Sequence, residues 1–254
     1  MILYYSGCGN SRWVAETLAD QLQERLLFIP DTVPDLDVQE GESLGFVFPV
    51  YAWAPPKLVL DFVHRISFRQ RPSYIWFACT CGDEGAFTRQ VFSRHLRKKG
   101  LMLDACFCLQ MPETYVAFPG FALDTPTNEQ RKIEKVRADL PRVAQLIANR
   151  TRKHYEMIWG TFPLTKTYLL RPLFYRFIIT DRHFRSTDAC IGCGRCAKAC
   201  PLHNIQLDDN RPHWLGHCTH CMSCYHHCPT NAIQYGNVTA GKGQYYFGKK
   251  NTKI

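Results

Sequence analysis

Eight cysteines stand in two runs of identical spacing. Cys190, Cys193, Cys196 and Cys200 follow one another at intervals of three, three and four residues and close on Pro201, and Cys218, Cys221, Cys224 and Cys228 repeat those intervals and close on Pro229. Every cysteine and both prolines are displaced by 28 residues, and the match continues to Ile205 with Ile233 and Gln206 with Gln234, so this is an internal duplication. Thiolates at such density are soft ligands suited to iron–sulfur clusters or to tetrahedral zinc. Zinc knuckles usually come as cysteine pairs with a long spacer, whereas here a run of four ends on proline, twice. Two zinc sites, with His217 or His220 replacing a thiol, are the rival reading. The odd total of 13 cysteines argues against a disulfide framework and for metal ligation plus buried thiols.

The repeat resembles that of the bacterial two-cluster ferredoxins, in which three closely spaced thiolates wrap one cube and the proline-following fourth reaches the neighbouring cube. The resemblance implies two [4Fe-4S] clusters, one on Cys190, Cys193, Cys196 and Cys228, the other on Cys218, Cys221, Cys224 and Cys200. His203, His213, His217, His220, His226 and His227 are then expected to face solvent or to lie beside cluster sulfurs, where a histidine makes a potential pH-dependent.

A second chemical pattern lies near the start of the chain. Ser6-Gly7-Cys8-Gly9-Asn10-Ser11 follows an apolar run and leads straight into a helical pattern. Two glycines let the backbone turn with its amides pointing inward, and the helix amino terminus adds a field favourable to phosphate. Arg12 occupies the place of the third glycine of a dinucleotide fingerprint, and the Lys-Ser/Thr pair of a triphosphate loop is missing, so the expected ligand is a phosphate monoester. Later loops add Pro49, Tyr51, Ala52 and Trp53, whose two aromatics suit stacking on a planar ring, and Thr80, Cys81, Gly82 and Asp83, which offer small residues and free amides. A plain turn and a core role for the aromatics are the bland readings.

These loops resemble those of the flavodoxin family. The resemblance implies FMN, with its phosphate in the loop from Ser6 to Ser11 and its ring flanked by Tyr51, Trp53 and the segment from Thr80 to Asp83. Cys8 stands where the family usually has threonine, and a thiol donates more weakly than a hydroxyl. Cys8 is expected to be a contact residue. Cys79, Cys81, Cys106 and Cys108 alternate along two apolar runs; core packing is expected there, since Cys-x-Cys lacks the usual bite of a metal knuckle.

Elements that place these loops are legible in the apolar pattern. Ile2 to Tyr5, Leu26 to Ile29, Leu44 to Val50, Tyr74 to Cys79 and Leu103 to Leu109 read as strands, and helical spacing links Val14, Leu18 and Leu22, then Leu58, Phe62 and Ile66, then Phe87, Val91, Phe92 and Leu96. A longer helix runs through Ile133, Val136, Leu140, Val143 and Ile147, capped by Thr127 with Gln130 and kinked or split at Pro141. Alternating strands and helices imply an α/β domain: a doubly wound, flavodoxin-like parallel sheet of five strands, whose ligand lies beyond the strands' carboxyl ends. We therefore expect an FMN domain over 1–150, an aromatic and basic connecting segment over 151–185, a small α+β two-cluster ferredoxin domain over 186–236 and a basic tail over 237–254. The connecting segment suits a membrane-surface helix or an inter-domain layer, and the layer is the expectation. The loop from Pro112 to Thr125 is expected to cover the flavin or to dock the ferredoxin domain.

Composition bounds the rest. With 46% apolar and 21% charged residues over 254 positions, the chain is globular. Residues 1–150 are charge-neutral, and the excess of +9 falls wholly in the remainder. Cluster and phosphate charges offset about six of these, so no nucleic-acid partner is expected. No stretch reads as a membrane span and the amino terminus does not read as an export signal, so a cytoplasmic protein is expected. The whole resembles the fused flavodoxin–ferredoxin proteins of anaerobic bacteria. That implies electron transfer between FMN and two one-electron clusters, with redox partner proteins. The alternative is a reductase in which the clusters feed FMN to reduce a small molecule or quinone.

Overall fold

The computed structural model describes residues 1–249; the last five positions of the expected tail, 250–254, lie outside the described residues. The first half alternates β1 (Ile2–Tyr4), α1 (Asn10–Leu22), β2 (Leu26–Phe28), β3 (Ser43–Pro49), α2 (Lys57–Arg65), β4 (Tyr74–Cys81), α3 (Thr88–Lys98), β5 (Ala105–Gln110), α4 (Pro126–Ala148) and β6 (His154–Glu156). The strands form one sheet in the order β2-β1-β3-β4-β5-β6, and every pairing is parallel. That order is the flavodoxin-like one, with the chain reversing direction across the sheet between β1 and β3. The five strands read from the sequence are joined by a sixth, β6, at the open edge.

All eight residues of β4 are buried, as expected for a parallel strand covered on both faces. One face packs Val59, Phe62, Val63, Phe92 and Leu96 of α2 and α3 against Phe46, Phe48 and Phe77. The other packs Val14 and Leu18 of α1 and Val136, Leu140, Val143 and Ile147 of α4 against Val47, Trp76 and Phe107. Helix α4 runs unbroken through Pro141, and its cap is Thr125 rather than Thr127: the Thr125 hydroxyl accepts from the Asn128 amide, with Pro126 in the first helical position. Proline suits that position because no amide is needed there.

Beyond β6 come three helical segments in unbroken succession, Pro163–Thr165, the π-helical Lys166–Leu170 and Arg171–Phe177, together α5. The duplicated segment then folds as two similar halves. One is β7 (Phe184–Ser186), α6 (Arg195–Ala199) and β8 (Ile205–Asp208); the other is β9 (Arg211–Trp214), α7 (Ser223–His226) and β10 (Ile233–Tyr235). The antiparallel pairs β8–β9 and β7–β10 tie the halves together. No helix of the described residues is long and apolar enough to cross a membrane.

Candidate functional site

Loops at the carboxyl ends of β1, β3, β4 and β5 enclose a cavity of about 560 Å³, within the range of small-molecule and cofactor sites. Of the residues expected to contact FMN, Ser6, Gly7, Cys8, Asn10, Ser11, Pro49, Tyr51, Ala52, Trp53, Thr80, Cys81, Gly82 and Asp83 all line it. Gly9 does not. It takes a left-handed conformation at the start of α1, its amide donates to Ser6 Oγ at 3.1 Å, and its outer side faces Phe247.

Within this loop the side chains are largely committed to protein partners, which leaves the backbone to meet an anion. Ser11 Oγ and Thr80 Oγ1 share a hydrogen bond of 2.7 Å. Asn10 donates through Nδ2 to the Pro112 carbonyl at 2.8 Å and accepts through Oδ1 from the Tyr245 hydroxyl at 2.8 Å. The Cys8 thiol donates to the Cys221 carbonyl at 3.2 Å. By contrast the amides of the first turn of α1 have no intrahelical acceptor, as in any helix, and Asn10 and Ser11 of that turn line the cavity.

The aromatic rim is built on a strained turn. Tyr51 and Ala54 exchange backbone hydrogen bonds across Ala52 and Trp53, which both have positive φ, 45° and 60°. Two such non-glycine residues cost about 1–2 kcal/mol each, a cost tolerated chiefly where function holds the backbone in place. Trp53 meets Phe174 of α5 edge-on at 5.8 Å, and its carbonyl accepts from the buried Thr167 hydroxyl at 3.1 Å. The segment after β5 closes the opposite wall with Pro112, Glu113, Thr114, Tyr115 and Phe121.

Ordered ion pairs brace these walls. Lys132 is 3% exposed, 2.8 Å from Asp124, and donates to the Gly82 carbonyl at 2.8 Å. Lys166 pairs with Glu84 at 2.6 Å, and both line the cavity. Burial alone would raise the Asp124 carboxyl, but Lys132 and the Glu113 amide outweigh it and hold the group below the usual range. Replacing Lys132 by methionine leaves that carboxylate buried without its cation. We expect a loss of about 3 kcal/mol at neutral pH, read as a lower urea midpoint. Because the folded Asp124 pKa is depressed, its contribution is full above about pH 4 and is lost as pH falls through the folded value. The gap between the native chain and the variant should therefore narrow on acidification, and a gap that widens would contradict the pairing.

The cysteine repeat brings its thiols together in two groups. Cys190, Cys193, Cys196 and Cys228 ring one small cavity together with Ile191, Leu207 and Ile233. The charges sensed by the thiols cross in the same way. Cys196 lies close enough to Cys228 and Cys190 for each to oppose its ionisation, and Cys200 does the same to Cys218, Cys221 and Cys224; burial is the larger cause for all four of these raised groups. Cys221 is pushed up to about 11. Backbone amides point at sulfurs in matching places, Asn204 to Cys200 at 3.3 Å and Ala232 to Cys228 at 3.2 Å, with His220 to Cys218 at 3.3 Å. The first two are 28 residues apart, so the duplication preserves an amide-to-sulfur hydrogen bond of the kind that tunes a cluster where one is bound. Among the described residues no three His, Cys, Asp or Glu side chains converge as a single metal ion requires.

A family model for a 4Fe-4S dicluster domain matches residues 189–233. A ferredoxin from Pyrobaculum islandicum is 40% identical over 85 residues, which are 31% of this chain and 75% of that protein. The chain belongs to the ferredoxin family. An uncharacterised ferredoxin from Methanocaldococcus jannaschii is 39% identical over 61 residues, 22% of this chain and 73% of that protein. Among solved structures, the chain is similar to an azoreductase from Bacillus anthracis, with 8% identity, a TM-score of 0.38, and 58% of this chain and 98% of that one covered. It is also similar to an NAD(P)H:quinone oxidoreductase from Methanothermobacter marburgensis, with 11% identity, a TM-score of 0.35, and coverage of 56% and 94%.

The ferredoxin domain sits against the flavodoxin-like domain at the cavity itself. Thr219, His220 and Cys221 contribute to its lining. A Cβ added at Gly7 would lie 2.6 Å from Cys221 Cβ and 3.1 Å from the Tyr51 hydroxyl, so glycine is required there by close approach. Two histidines clamp the seam. His220 is bonded to the Thr180 carbonyl through Nε2 at 2.8 Å and to the Tyr115 hydroxyl through Nδ1 at 3.2 Å. His226 is bonded to the Thr114 carbonyl through Nε2 at 2.7 Å and accepts the Tyr245 amide at Nδ1, 3.1 Å away. Burial pushes both down to about 4, so both are neutral at physiological pH, while His203, His213 and His217 face solvent.

Residues 237–249, read from sequence as part of a basic tail, strap the domains together. Lys242 donates to the carbonyls of Val116, Phe118 and Phe121 at 2.7–3.2 Å. The Tyr245 hydroxyl reaches Asn10, the Phe247 amide reaches the Cys8 carbonyl at 2.8 Å, and the Phe247 ring stacks on Trp13 at 4.8 Å. Outside the repeat, Cys79 and Cys106 are wholly buried in the core, and Cys81, which lines the cavity, contacts Cys108 Sγ at 3.5 Å.

Proposed function

We propose that the protein transfers electrons within one chain between FMN, bound in the cavity above the parallel sheet, and two [4Fe-4S] clusters, carried by the duplicated segment. The reading rests on one observation: Cys221, a member of the second cysteine run, lies in the wall of the cavity that the phosphate-type loop and the aromatic rim enclose. FMN exchanges two electrons singly or as a pair, and each cube exchanges one.

The chain's own part is positioning. Amides of the first turn of α1 hold the phosphate, with the helix field behind them. Tyr51 and Trp53, fixed by their strained turn, flank the ring. The segment from Pro112 to Tyr115 excludes water on the side facing the ferredoxin domain. Cys190, Cys193, Cys196 and Cys228 hold the outer cluster, and Cys200, Cys218, Cys221 and Cys224 hold the inner one. The Cys8 thiol, in place of a hydroxyl, serves the seam through the Cys221 carbonyl and leaves anion binding to the backbone. Redox partner proteins meet the outer cluster, where Cys193 is exposed.

Protein purified anaerobically should contain about eight iron and eight acid-labile sulfide per chain, with one FMN. Two zinc ions and no sulfide would overturn the cluster assignment, and iron without flavin would overturn the cavity assignment.

A further inference from the structure

Helix α5 is apolar on both of its faces. Its inner face does the work already described: Phe174 packs against Trp53, Tyr115 and Phe118, and Thr167 is buried beneath Trp53. Its outer face carries Leu169, Leu173 and Phe177 at successive intervals of four residues, with Phe162 at the entry to the helix. These side chains are 59%, 47%, 69% and 77% exposed. A surface helix normally turns polar residues outward, and one that is apolar all round is normally covered. An exposed patch of this kind marks an interaction surface.

Charge decides which surface fits. Between residues 157 and 185 there are five basic residues, of which Lys166 is paired with Glu84, and a single acidic one, Asp181. Asp181 is buried and committed to Asn204 and the Gly216 amide, so it does not offset the rim. Arg176 lies on the helix itself and Arg182 just beyond it, both exposed. Trp159, 40% exposed, stands before the helix, where an indole suits a membrane–water boundary. A second copy of the chain is a poorer fit, because a two-fold contact sets the patch against itself and brings the arginine rims together. An apolar stripe flanked by arginine and tryptophan is the pattern of a helix that lies in the plane of a lipid surface.

We infer that the outer face of α5 docks the protein peripherally on an anionic lipid bilayer. The helix lies flat, Leu169, Leu173 and Phe177 enter the acyl boundary, and Arg176 and Arg182 meet the headgroups. The inner face of the same helix lines the cavity, so docking brings the cavity to the membrane surface. The inference does not depend on what the cavity holds.

The test is flotation of the anaerobically purified full chain with two kinds of vesicle, phosphatidylcholine alone and phosphatidylcholine mixed with phosphatidylglycerol. Binding is expected to the mixed vesicles and to fall with added salt. Leu173→Glu with Phe177→Glu should lower the bound fraction more than about tenfold. Arg176→Glu with Arg182→Glu should abolish the preference for the anionic vesicles. Iron content equal to that of the unaltered chain shows that each variant is folded. Failure of the unaltered chain to float with anionic vesicles overturns the inference. So does equal flotation of the glutamate variant, or a dimer in sedimentation velocity that the glutamate variant dissolves while vesicle binding is absent.

Discussion

Alanine at both Cys200 and Cys221 should leave one cluster standing, whereas alanine at both Cys193 and Cys200 should leave none. The argument is combinatorial. If Cys200 serves the inner cluster, the first pair of substitutions removes two ligands from the same cube, and the outer cube keeps Cys190, Cys193, Cys196 and Cys228 around their shared cavity. About four iron per chain remain. The second pair removes one ligand from each cube, and both are lost or severely depleted. If instead each run of four held its own cluster, the two outcomes would exchange. Iron and sulfide analysis of the two variants therefore distinguishes the connectivities by the largest effect available, and single substitutions do not. The domain itself has reason to depend on the clusters, since Cys196, Cys224 and Cys228 lie in its buried core and a small domain of this size has little else to bury.

What the sequence made legible was local. The phosphate-type loop, the aromatic rim and the two cysteine runs are short segments whose spacing carries their chemistry, and the cavity gathers nearly all of the expected residues. Connections over long separation were invisible. Tyr245 bonds Asn10 across 235 residues, and nothing in a stretch of glycine, lysine and tyrosine marks it as a strap. Strand β6 is only His154–Glu156 at the sheet edge, too short and too polar to register as an apolar run. Lys132 had a signal that periodicity offers on closer reading: it heads the stripe continued by Val136, Leu140, Val143 and Ile147, and a lysine on the apolar face of a helix calls for a buried partner. The exchange of Thr127 for Thr125 as cap follows from Pro126, whose fixed φ and missing amide suit the first helical position. The aromatics of α5 suggested a layer between the domains; Phe174 packs on Trp53, while Phe162 and Phe177 face outward.

On the proposed function, Cys221 in the cavity wall joins the two domains as one redox unit, and the seam at Gly7 is where that unit is most easily broken. A valine at Gly7 cannot be accommodated against Cys221 Cβ at 2.6 Å without moving the ferredoxin domain away. Iron content should survive such a change, because no cysteine ligand is removed, whereas Gly7 lines the cavity, so FMN is supplied in excess and rates are compared per bound flavin. Exchange between the centres should slow by orders of magnitude, since a tethered but undocked pair loses its fixed approach and keeps only its effective concentration.

Anaerobic rapid mixing with a one-electron donor tests the central claim most directly. Cluster bleaching followed by flavin reduction at a rate independent of protein concentration, and slowed in Gly7→Val, is the expected result. A flavin rate that rises in proportion to protein concentration, unchanged in the variant, would contradict transfer within the chain.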